Sequence, residues 1–253
     1  MGFLISLGKN CKIPVIEFYA DDVIVKKPLI IMLHGYMGFK ELLLPQAYNL
    51  AKRGFFLVLP DAYCHGERNT SNKPCSFFDA VLKTTDEIDY LIESYSKDER
   101  VDISNIGLTG FSMGGCITFN YIARDTKLIK AAVPVLSTPD WVSIMKTEAA
   151  YNEFSTNGLI KSKEEMEQYV TAASKLQPLN KLSNMKDTPL LILNGDIDPI
   201  IPVSEVASFY NQLKLLYHCE EDIRLSIYKG IGHLDNLQMN MELADWFVKY
   251  LNT

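Results

Sequence analysis

Residues 105–124, "NIGLTGFSMGGCITFNYIAR", decide how the rest of the chain is read. The apolar run up to Gly110 reads as a buried strand and "CITFNYIAR" after it as a helix. Between them lies "GFSMGG" (110–115), a serine with glycines on both sides. Glycine and serine are common turn residues, so an ordinary turn is one reading. The other is a sharp strand-to-helix turn that presents Ser112 as a nucleophile and needs small neighbours at Gly110 and Gly114. The bare pattern does not separate the two, so the rest of the chain has to.

Outward from this stretch, short apolar runs bounded by turn residues recur: "PLIIMLH" (28–34), "GFFLVLP" (54–60), "KAAVPVL" (130–136) and "TPLLILNG" (188–195). Near-continuous apolar runs of this length suit strands buried on both faces of a parallel sheet. Helical periods separate them. Phe78, Val81, Leu82, Ile88, Leu91, Ile92 and Tyr95 recur at three- and four-residue spacing, and so do Leu237, Met241, Ala244, Val248 and Leu251. The alternation predicts an α/β fold with a doubly wound, mostly parallel sheet. "FLISL" and "IPVIEFYA" have no helix between them and predict an antiparallel edge. The N-terminus also fits the loose myristoylation pattern through Gly2 and Ser6, but a first strand is the simpler reading.

The expected organisation is one domain over residues 1–253 with a helical cap inserted at about 137–187. That block has no strand signal, and "SKEEMEQYVTAASKL" (162–176) opens on a capping box, Ser162 with Glu165. It follows a strand of the sheet, on the side where open α/β folds bind ligands. Trp141, just after "STPD", is placed there as a candidate substrate-pocket residue.

Composition narrows the function. At 47% hydrophobic and 22% charged residues the chain is an ordinary globular protein. A net charge of −6 without a Lys/Arg-rich block argues against nucleic acid. The five cysteines (Cys11, Cys64, Cys75, Cys116 and Cys219) are scattered and form no C-x-x-C pair. Such usage argues against a disulfide framework or a zinc site and for a reducing, cytoplasmic compartment. No run is long enough for a membrane span, and a homodimer is permitted.

A serine nucleophile needs a base, an acid that orients the base, and donors for an oxyanion. The chain has four histidines. His233, in "YKGIGHLDN" (228–236), follows an apolar run on a glycine-rich loop and is the expected base. His34 opens "HGYMG", a glycine-rich turn able to aim backbone N–H groups at an oxyanion, and counts as a second candidate pocket residue. His65 sits in "DAYCHGER", a loop that reads as held by hydrogen bonds, and His218 lacks any glycine context. "LILNGDIDPIIP" (191–202) supplies Asp196 and Asp198, two apart and so pointing different ways in an extended turn. Asp198, farther along and before a helix starting near Pro202, is favoured as the acid.

Taken together, "HGYMG", "GFSMGG", "GDIDPIIP" and "GHLD" resemble, in order, the oxyanion loop, nucleophile elbow, acid loop and histidine loop of the α/β-hydrolase superfamily. Within it, "PDAYCHGER" and the insert look most like small esterases related to the dienelactone-hydrolase and prolyl-oligopeptidase groups. The family's G-x-x-D-x-x-[VI]-P setting falls on Gly195, Asp198, Ile201 and Pro202, which supports Asp198. By the same resemblance, the backbone N–H groups of Tyr36 and Met113 would form the oxyanion hole. The resemblance implies a cofactor-free, metal-free serine hydrolase that acts on a small-molecule ester, and a small pocket shaped by the bulky residues of the insert would favour short acyl chains. Thioesters, amides and perhydrolysis share such a site. A low-turnover binding protein on the same fold is the alternative from another class, and serine in place of aspartate at the elbow disfavours a dehalogenase.

Overall fold

The computed structural model describes residues 2–10, 12–21, 26–70, 75–124 and 127–251; Cys11 lies outside them. Two antiparallel strands open the chain, β1 (Gly2–Asn10) and β2 (Ile13–Asp21). They are followed by β3 (Lys27–Leu33), β4 (Phe56–Pro60), β5 (Val101–Phe111), β6 (Ile129–Val135), β7 (Leu190–Gly195) and β8 (Ile223–Tyr228). All belong to one sheet with the order β1-β2-β4-β3-β5-β6-β7-β8. β2 pairs antiparallel with β4, and from β4 to β8 every pairing is parallel. The expected mostly parallel sheet with an antiparallel edge is therefore the fold.

The apolar runs alternate between two cores, as a strand buried on both faces must. In β3, Leu29, Ile31 and Leu33 join one core and Ile30 and Met32 the other. The second core is closed by α1 (Leu44–Ala51) and α8 (Leu237–Tyr250). The first is closed by α2 (Phe77–Tyr95), α3 (Met113–Ile122) and α7 (Val203–Lys214).

The buried stripe of α2 is the one its periodicity predicts, with Leu82 half-buried beside it. On α8 the expected stripe is mostly wrong: Leu237, Met241 and Val248 are exposed, and Met239, Leu243, Ala244, Trp246 and Phe247 are buried. Two apolar stripes compete on that helix, and the one carrying the large rings packs on the sheet. Phe247 would meet a Cβ on Gly107 of β5 at 2.7 Å, so α8 lies almost on the strand backbone.

Between β6 and β7 the described chain has no strand. It runs through α4 (Trp141–Met145), α5 (Glu148–Thr156), α6 (Lys163–Leu176) and a 3-10 stretch, Pro178–Met185. Each α-helix starts at a side-chain cap the sequence supplies: Asp140 accepts from Ser143 N, Thr147 from Ala150 N and Ser162 from Glu165 N. Glu165 Oε2 reaches back to Lys161 N at 2.6 Å, one residue earlier than in an ideal capping box.

Candidate active site

Three loops at the C-terminal ends of the parallel strands bring the site together, the side on which such sheets bind ligands. Ser112 sits between β5 and α3 with φ 52° and ψ −110°, a conformation rare for a residue with a Cβ. Two groups hold it there: Ser112 N donates to Val135 O at 2.9 Å, and Ser112 O accepts from Cys116 N at 3.0 Å. The turn is so tight that a Cβ on Gly110 would stand 2.3 Å from the carbonyl carbon of Gly114. One on Gly114 would stand 2.2 Å from Leu33 O.

His233 faces Ser112 from the loop after β8, with Nε2 2.8 Å from Ser112 Oγ. Its Nδ1 is 2.7 Å from Asp198 Oδ2, in the loop after β7. A carboxylate only accepts, so Nδ1 carries the hydrogen and Nε2 is free to accept the serine O–H. Asp198 is itself fixed: its Oδ1 accepts from Ile200 N and Ile201 N, both at 2.9 Å. Asp196 turns the other way and accepts from Gly230 N at 2.6 Å, tying the two loops together. The two aspartates thus part as an extended turn requires. A hydroxyl, an imidazole and a carboxylate thus stand in hydrogen-bonded series, an arrangement suited to general-base activation of a hydroxyl.

Tyr36 and Met113 flank Ser112. Met113 is the first residue of α3, where an amide has no partner in its own helix and the helix dipole is positive. The Tyr36 loop is clamped from below. His34 Nε2 accepts from Ala62 N at 3.0 Å and its Nδ1–H donates to Gly35 O at 2.8 Å. Lys40 and Asp61, both buried, pair at 2.9 Å, and Asp61 also accepts from Lys40 N and Glu67 N. Burial pushes the His34 pKa down to about 4 and outweighs the bond to Gly35, so the ring is neutral. His65 is also buried with its pKa lowered, its Nδ1 on Tyr63 O, inside the hydrogen-bonded loop its neighbours predict. His218 is exposed.

A narrow cavity of about 30 Å³ opens beside Ser112. Phe77, Ile144, Phe154 and Ile201 form its apolar wall, and Tyr36, Met113, Cys116 and Glu153 also border it. His34 and Trp141 do not, which corrects their assignment as pocket residues. His34 is spent on bracing the loop. Trp141 is fully buried one layer back, stacked on Phe78 at 5.8 Å and edge-on to Phe77 at 6.4 Å. Being near a strand end did not decide which way its ring turned.

Sequence reading missed Phe77 and Glu153. Glu153 had a signal: Ala150, Glu153 and Phe154 share one face of α5, so an acid lies beside a buried stripe. Among the described residues no group of three His, Cys, Asp or Glu side chains could hold a metal ion. No described helix is long and apolar enough to cross a membrane.

Comparison with known proteins shows the family and the fold. The prolyl oligopeptidase family matches residues 45–253. The Bacillus subtilis protein named "Putative esterase YitV" is 31% identical over 232 residues, covering 88% of this chain and 89% of its own. Among solved structures, TT1662 from Thermus thermophilus superposes with a TM-score of 0.79 at 20% identity over the whole of both chains. The acylaminoacyl peptidase of Pyrococcus horikoshii superposes with a TM-score of 0.74 at 18% identity; this chain is covered completely and that one to 42%. At such identities these two structures speak for the fold alone. The chain belongs to the prolyl oligopeptidase family and is a hydrolase with the α/β-hydrolase fold.

Proposed function

We propose that the protein is a carboxylesterase that cleaves small esters of short acyl chains through Ser112, His233 and Asp198. The observation that carries this reading is the unbroken series from Ser112 Oγ to His233 Nε2, 2.8 Å, and from His233 Nδ1 to Asp198 Oδ2, 2.7 Å. Ser112 Oγ attacks the ester carbonyl while His233 takes its proton, and Asp198 stabilises the imidazolium. The N–H groups of Tyr36 and Met113 receive the oxyanion. His233 then gives the proton to the departing alkoxide, leaving an acyl group on Ser112. Water, activated by the same histidine, hydrolyses that acyl-enzyme.

The small cavity favours short chains: about 30 Å³ for the centres of water-sized groups accommodates only a few heavy atoms. Each methylene that fits poorly changes discrimination by about 1–3 kcal/mol. The helices between β6 and β7 act as a cap within a single domain, because Ile144, Ala150 and Phe154 from them wall the cavity. A series of p-nitrophenyl esters from acetyl to dodecanoyl tests the reading. Acetyl to butyryl esters should have the highest kcat/KM; a preference for dodecanoyl would contradict the short-chain assignment.

A further inference from the structure

Glu153 is the one carboxylate among the described residues that border the cavity beside Ser112, and the mechanism above does not use it. The other ionisable neighbours there are neutral. Burial pushes the Cys116 thiol up to about 12 and the Tyr36 phenol upward, and the Tyr36 hydroxyl is occupied in donating to Cys75 O at 2.8 Å. Glu153 is half-buried, and no lysine or arginine borders the cavity. Desolvation raises its pKa, partly offset by the nearby His233. Apart from that histidine, Glu153 has no cationic side chain beside it among the residues that border the cavity, and a cation arriving with the substrate would supply one.

We infer that Glu153 selects the acyl group: the cavity takes a short chain ending in an ammonium, as in the ester of a small ω-amino acid. The apolar wall of Phe77, Ile144, Phe154 and Ile201 would hold the methylenes, and the carboxylate the charged tip. This inference rests on the reading of Ser112 as the nucleophile, with the acyl group in this cavity.

Ethyl 3-aminopropanoate and ethyl butanoate form a suitable pair, since an ammonium replaces a methyl at nearly constant size. The ratio of their kcat/KM values, followed by pH-stat titration at neutral pH, should fall about tenfold or more in Glu153→Gln, the loss of one charge-assisted contact. Ethyl butanoate, which has no charged tip, should lose less than ethyl 3-aminopropanoate does. Glu153→Lys should invert the preference, favouring monoethyl succinate over ethyl 3-aminopropanoate. An unchanged ratio in Glu153→Gln would overturn the inference. So would an equal fall for both esters, which would mean that Glu153 acts through His233. Turnover of neither ester by the wild type, with Ser112 unreactive, would instead defeat the esterase reading itself.

Discussion

Gly110 and Gly114 touch backbone to backbone across the elbow, where a Cβ on the first would stand 2.3 Å from the carbonyl carbon of the second. The contact lets α3 turn back sharply off β5 with Ser112 at the bend. A methyl at position 110 has backbone against it, which cannot give way as a flexible side chain could. Gly110→Ala should therefore lower kcat/KM for p-nitrophenyl acetate by about 100-fold or more, as expected when a reacting group is displaced by about 1 Å. Urea denaturation should show a loss of about 1–3 kcal/mol. Near-normal activity in the variant would mean that the elbow tolerates the shift.

The two aspartates of "GDID" meet different partners, Asp196 the N–H of Gly230 and Asp198 the ring of His233. Asp198→Asn should leave the fold intact and reduce kcat by about 10⁴, by analogy with serine-protease triads, since the amide presents the wrong tautomer of His233 with a partner. Asp196→Asn keeps an oxygen that can accept from Gly230 N and should stay within about tenfold of the wild type. The reverse pattern would move the acid's role to Asp196.

Much of this architecture was legible because burial on both faces of a parallel sheet leaves a plain trace, as in "PLIIMLH" and "TPLLILNG". The candidate site could be traced because its loop motifs arrive in order, and the structure brings Ser112, His233 and Asp198 within hydrogen-bond distance. What sequence could not supply was the direction in which a side chain turns. Trp141 and His34 both follow strands of the sheet, yet one packs against Phe78 and the other ties Gly35 to Ala62. On α8, two apolar stripes satisfy the same period, and only packing on Gly107 of β5 selects between them.

Trp141 should consequently matter for stability before selectivity. Its fully buried ring lies edge-on to Phe77 and stacked on Phe78, and Trp141→Ala should cost about 3–5 kcal/mol in chemical denaturation. A cost below 1 kcal/mol would indicate that the insert helices collapse into the gap.

His34 gives stability a dependence on pH. Its pKa is about 4 in the folded protein against 6.5 ordinarily, so between those values the unfolded chain binds a proton that the native state refuses. The contribution is complete above about pH 6.5 and is lost as pH falls toward 4, amounting to about 3 kcal/mol. His34→Gln should be less stable than the wild type at pH 7, and the gap should narrow by that amount at pH 4. Equal gaps at both pH values would show that His34 titrates normally.

If Ser112 forms the acyl-enzyme, a fluorophosphonate should add to it and to no other residue, as read by peptide mass mapping, and Ser112→Ala should stay unlabelled. An adduct on another residue, or full labelling of Ser112→Ala, would show that the nucleophile lies elsewhere.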